Sequence, residues 1–121
     1  MEFEEKTLSE QYLYKGKILK LRKDEITLPD GNKALREVVE HSGGSAILCE
    51  KEGKILLVKQ FRYPYKEELW EIPAGKLNEG ENPIETAIRE LKEEGGVIAS
   101  SVKKMFEVYP SPGYTDEIIR I

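Results

Sequence analysis

The sequence predicts an α/β domain in which short strands joined by turns surround one amphipathic helix, with an antiparallel hairpin at the N-terminal end. Three observations carry this. Residues 82–94 have helical periodicity between a cap and a glycine stop. PDGN at 29–32 separates two strand-like runs, and KEG at 51–53 separates two short apolar ones. Such punctuation marks hairpins.

In chain order, KILKLRKDEITL (17–28) reads as a strand with imperfect alternation. PDGN turns the chain, and LREVVEHS (35–42) returns it. GGSAILCE and KILLVKQF form a second hairpin, with SAILC as a buried strand and Cys49 as a small core residue. ELWEIP is a further strand ended by Pro73. In the helix, Asn82 is the N-cap, Pro83 suits the first position, and Glu85 stands where a capping-box carboxylate belongs. Ile84, Ala87, Ile88 and Leu91 form one apolar stripe, and Gly95-Gly96 stop the helix. VKKMFEVY (102–109) reads as a strand, PSPG (110–113) as a turn, and DEIIRI as the start of another strand.

A chain of 121 residues suits a single domain, 1–121, in which 1–41 are the N-terminal strands and 42–121 the core. Hydrophobic residues make up 39% and charged residues 35%, too apolar for a disordered chain. A net charge of -4 argues against a nucleic-acid or anionic-membrane partner. Cys49 and His41 are the only residues of their types, which excludes an intramolecular disulfide and a multi-histidine metal site. No signal core or membrane-length apolar run is present, so a reducing cytoplasm is the default expectation.

RELKEEGG (89–96) crowds carboxylates at the helix C-terminus, where the helix dipole disfavours them. Glu90 and Glu94 are four apart and lie within roughly 40° of each other, beside Ala87, so their charges repel. A solvated acidic face is the simple reading. A divalent cation is the alternative, because it turns repulsion into coordination. All-oxygen ligands favour Mg2+, with Mn2+ as the other candidate. The chemistry this suggests is metal-assisted reaction at a phosphate.

GKLNEGENPIETAIRELKEEGGV, Gly75 to Val97, resembles the Nudix hydrolase signature, with Gly75, Glu81, Arg89, Glu90, Leu91, Glu93, Glu94, Gly96 and Val97 filling its fixed positions. VKQFRYP (58–64), ELWEIPAGK (68–76) and SPGYTDE (111–117) resemble the ADP-ribose pyrophosphatase branch. The resemblance covers roughly residues 17–121, and Pro112 fits a proline found beyond the signature in that branch.

The resemblance implies a Nudix α/β/α sandwich around a mixed sheet. It implies Glu90, Glu94 and the carbonyl of Ala74 as metal ligands for Mg2+. Glu93 would act through the metal-water network, Arg89 would orient the glutamates, and Glu81 would brace the loop. The implied reaction is hydrolysis of ADP-ribose to AMP and ribose 5-phosphate. Arg36 and Arg62 would contact the diphosphate, and Gly113, Tyr114 and Thr115 would form a substrate-side loop. Trp70, Tyr63 and Tyr65 either stack an adenine or belong to core or interface. A homodimer is implied, in which N-terminal strands complete the partner's site and Arg36 serves the other subunit. Members of this branch continue beyond the position of Ile121 with a loop carrying a further glutamate, the expected general base, and a helix; the expectation is therefore a C-terminally incomplete chain. Two alternatives stand beside this: hydrolysis of another nucleoside diphosphate sugar such as GDP-mannose, and a non-catalytic nucleotide-binding module or inactive fragment.

Overall fold

The computed structural model describes residues 3–121. The chain groups into two compact units, one made of the residues up to Ser42 with Tyr109–Glu117, the other of Gly43–Val108 with Ile118–Ile121.

The first unit is an antiparallel meander of β1 (Lys6–Lys15), β2 (Leu19–Thr27) and β3 (Lys33–His41), in the order β1-β2-β3. The predicted hairpin is β2–β3. Its turn closes through Leu28 N–H to Asn32 C=O (2.7 Å) and Gly31 N–H to Leu28 C=O (2.9 Å), with Gly31 at φ 89°, a value that suits glycine. The extra strand β1 was not expected, because all ten of its residues are exposed and no buried face imposes a period of two. Asp24 and Ile26 of β2 are buried. Segment 111–117 is tied to the end of β3: Val39 N–H donates to Tyr114 C=O (2.6 Å), the Thr115 hydroxyl donates to Val39 C=O (2.8 Å), and His41 N–H donates to Asp116 (2.9 Å).

The second unit holds a four-stranded mixed sheet ordered β10-β11-β4-β9. Its strands are β4 (Gly44–Ala46), β9 (Ala74–Lys76), β10 (Glu107–Val108) and β11 (Ile119–Arg120). β11 runs parallel to β4, and the other neighbours are antiparallel. Two hairpins accompany it: β5 (Glu50–Lys51) with β6 (Lys54–Ile55), and β7 (Val58–Arg62) with β8 (Glu67–Glu71). SAILC contributes only two sheet residues, Ser45 and Ala46, which follow Gly44 in β4. Ile47 is nevertheless buried and Cys49 packs against the core, as expected. VKKMFEVY is extended only at Glu107–Val108, shorter than predicted.

The helix α1 spans Pro83–Gly95. The Asn82 side chain accepts the N–H groups of Ile84 (2.9 Å) and Glu85 (3.2 Å), and Gly96 ends the helix at φ 66°. Its buried residues are Thr86, Ala87 and Leu91; Leu91 and Ala87 join Ile47 at the centre of the core. The expected stripe is corrected here: Ile84 and Ile88 are 42% and 38% exposed. At 100° per residue the buried arc is rotated by roughly 80° from the apolar stripe, toward the glutamates. The cause lies in what α1 packs on, namely β4 and β9. Ser45 of β4, itself buried, donates its hydroxyl to Pro83 C=O at 2.5 Å.

Candidate functional site

The rotation of α1 sets the site. With Thr86 and Leu91 at its edges, the buried arc spans roughly 140° and contains Glu90. The Glu90 side chain is only 15% exposed. It lies against the backbone of Gly75 on β9, so close that a Cβ there would stand 2.6 Å from its Cγ. Glycine at 75 is thus the condition for a carboxylate to enter from the helix.

β9 is the edge of its sheet. Ile47 N–H bonds to Pro73 C=O, and Leu77 N–H bonds to Gly43 C=O, both at 2.9 Å. Bonded pairs alternate along an antiparallel ladder, so Ala46–Ala74 falls between them as a non-bonded pair. The N–H and C=O of Ala74 therefore face the open edge, away from β4. Glu94 meets the N–H there: its carboxyl accepts a hydrogen bond from the Ala74 backbone, and in its protonated form donates one to the Glu90 carboxylate. Burial above all, then the hydrogen bond and charge of Glu90, push the Glu94 carboxyl above the ordinary carboxylate range; the Ala74 backbone and the charge of Arg62 act in the opposite direction. The repulsion read from the sequence is therefore present in space. Among the described residues, no three His, Cys, Asp or Glu side chains converge in a metal-binding group. What this edge offers a cation is two carboxylates and a backbone carbonyl, and that donor set fits a hard ion that keeps much of its water.

Arg89 is held between three carboxylates. Its guanidinium lies 3.3 Å from Glu81, 3.6 Å from Glu90 and 3.9 Å from Glu93, the last being the i,i+4 pair read from the sequence. Glu81 also accepts Asn78 N–H (2.9 Å) and the Thr86 hydroxyl (3.2 Å), so it braces the loop before α1. These contacts, the Asn78 backbone first, hold the Glu81 carboxyl below the usual range. Glu93 is 61% exposed.

Arg62 of β7 forks onto Glu71 of β8, with Nε to Oε2 at 2.7 Å and Nη2 to Oε1 at 2.5 Å. Glu71 was not singled out from the sequence. Its signal was available only jointly: strand parity and the register of the β7–β8 hairpin place residues 62 and 71 on one face. Trp70, Tyr63 and Tyr65 are all exposed, which disposes of a core role. Lys59 stacks over Trp70 and Lys66 over Tyr63. A cavity of about 780 Å3 lies on the Ile84 side of α1, lined by Ile47, Ala87, Val102, Met105 and Ile121 among others; neither Glu90 nor Glu94 borders it.

In the other unit, Arg36 is paired with Glu5 through two bonds, Nε at 3.0 Å and Nη2 at 2.9 Å. Gly113 and Tyr114 are exposed, whereas the Thr115 hydroxyl is committed to Val39. The structure thus brings Ala74, Glu90, Glu94, Arg89 and Arg62 together in one unit and Arg36 with Gly113–Thr115 in the other.

Comparison with known proteins agrees with this architecture. Residues 39–120 match the NUDIX domain family, and residues 5–39 match the nucleoside diphosphate sugar hydrolase N-terminal domain. The chain is 45% identical over 119 residues to the ADP-ribose pyrophosphatase of Bacillus subtilis (strain 168), covering 98% of this chain and 64% of that protein. It is 42% identical over 120 residues to the methanol dehydrogenase activator of Bacillus methanolicus, covering 98% and 65% respectively. The chain therefore spans about two thirds of the length of these relatives. A crystal structure of an ADP compounds hydrolase superposes with a TM-score of 0.85 at 17% identity, over 97% of this chain and 64% of that one, and shares the fold.

Proposed function

The chain belongs to the NUDIX family, and on that premise we propose that it hydrolyses the diphosphate bond of ADP-ribose or a related nucleoside diphosphate sugar, with Mg2+ as cofactor. For ADP-ribose the products are AMP and ribose 5-phosphate, one water being added across the P–O–P link. The observation that carries this reading is the meeting of Glu90 and Glu94 with the open edge of β9 at Ala74, where two like-charged carboxyls stand against each other, Glu90 largely buried beside Gly75.

In this reading Glu90, Glu94 and the Ala74 carbonyl hold the cation. Bound there, it would polarise a phosphoryl oxygen and acidify a water. Arg89 fixes the carboxylates of Glu90 and Glu93 by its three-way bridge, and Glu81 fixes Arg89. Exposed Glu93 acts through ordered water. Arg62 binds the diphosphate. In the other unit, exposed Gly113 and Tyr114 serve the substrate, while Thr115 shapes the loop through its bond to Val39. Arg36 is a diphosphate contact that must exchange its Glu5 partner for substrate.

We further infer a single Nudix domain over 1–121, with 1–41 forming a homodimer in the cytoplasm. The support for the dimer is β1, an edge strand ten residues long and exposed throughout, with Leu8, Tyr12, Leu13 and Tyr14 uncovered. No helix of the described residues is long and apolar enough to cross a membrane.

The test is AMP release from ADP-ribose by this chain with and without Mg2+, beside a panel including GDP-mannose. Metal-dependent AMP supports the reading. A preference for another nucleoside diphosphate sugar moves the substrate but keeps the class, which the match of residues 5–39 also favours. Binding without turnover that is restored by adding the segment expected beyond Ile121 supports the hydrolase reading with this chain as an inactive fragment; binding with no turnover even then overturns it in favour of a nucleotide-binding module.

A further inference from the structure

Glu71 has a second carboxylate as its rival for Arg62. In the β7–β8 ladder the residue directly opposite Arg62 is Glu67, and Glu71 stands opposite Val58. All four side chains share one face, because directly paired residues do. Glu67 is the near partner; Glu71 is four residues further along, roughly 13 Å at strand rise. The guanidinium nevertheless lies lengthwise along the hairpin and forks onto Glu71. Glu71 ends β8, with two residues between it and the start of β9 at Ala74, and the Arg62 and Glu94 charges act on each other.

A fork of this kind has a chemical consequence. It occupies Nε and Nη2, fixes the guanidinium plane, and leaves the two N–H groups of Nη1 to donate elsewhere. A cation merely needed for charge balance would sit on the near carboxylate. We propose that Glu71 is a positioning residue that draws Arg62 away from Glu67 and presents its Nη1 edge to the substrate diphosphate beside Glu90 and Glu94. The inference rests on the hydrolase reading above and adds to it the residue that aims the arginine.

The experiment is a double-mutant cycle on the whole chain with Glu71→Gln, Arg62→Ala and the pair. It reads kcat and KM for ADP-ribose, together with binding of its non-hydrolysable methylene-diphosphonate analogue by calorimetry. Losing one aimed charge-assisted contact should weaken analogue binding and raise KM by about tenfold in Glu71→Gln, with kcat changed less. The double variant should be no worse than Arg62→Ala, and Glu71→Asp, which keeps the charge, should recover part of the loss. Effects that multiply in the double variant, or an unchanged Glu71→Gln, overturn the positioning role while leaving the hydrolase reading intact. A wild-type chain that neither binds the analogue nor releases AMP overturns both.

Discussion

Gly75→Ala tests whether backbone shape at β9, rather than the glutamates alone, makes the site. The added methyl would stand 2.6 Å from Cγ of Glu90. Carbon atoms in ordinary contact sit ~3.5–4.0 Å apart, so Glu90 must retreat by roughly 0.9–1.4 Å. The strand cannot yield instead, because β9 is laddered to β4 on its inner side and α1 rests on both. The displacement falls on a side chain that is 15% exposed and that touches Glu94 and Arg89 as well. Misplacing a reacting or ligating group by about 1 Å costs ~10²-fold in rate, and overpacking costs about 1–3 kcal/mol in stability. The assays are AMP release, Mg2+ titration by calorimetry, and circular dichroism to verify folding. The expectation is a folded protein with turnover reduced ~10²-fold and metal affinity at least ~10-fold weaker. A folded variant retaining both within about threefold of wild type would refute the claim that Gly75 makes room for a functional Glu90.

Three further outcomes follow from the structure. Because the folded Glu94 carboxyl titrates above its unfolded value, its contribution to stability is present at acid pH and is lost as pH rises through the folded pKa. Metal-free wild type should therefore lose stability relative to Glu94→Gln as pH rises above the ordinary carboxylate range, and Mg2+ should reverse that loss for wild type only; thermal melts across pH with and without metal decide it, and parallel curves would count against the coupling. The same variant should lose AMP release almost completely. Asn82→Ala removes the acceptor for two helix N–H groups and should cost ~1 kcal/mol in urea unfolding, with little change in metal affinity.

The helix was legible because its determinants are local. Asn82, Pro83 and Gly96 act within one turn of the chain, and the structure places each where its chemistry suggests. The family was legible for a similar reason, since the signature from Gly75 to Val97 is a continuous string. Strand β1 was not legible, as all ten residues face solvent and no burial imposes alternation. The turn and the short apolar runs announced the β2–β3 and β5–β6 hairpins, but not how few residues of 102–109 would join the sheet.

What the sequence by itself determined is that Glu90 and Glu94 are neighbours at the end of a helix with charges that repel. It did not determine where that pair points. The apolar stripe suggested a face centred near Ile84 and Leu91, whereas β4 and β9 took the face running from Thr86 through Glu90. That choice needed Ser45 to receive the first turn and Gly75 to leave space, residues 38 and 15 positions away from Pro83 and Glu90 respectively. The grip of Glu71 on Arg62 is of the same kind, because it depends on a register fixed between two strands. Periodicity records only a residue's angle about its own helix or strand; which angle is buried depends on the shape of the partner surface, and that surface exists only once distant segments have met.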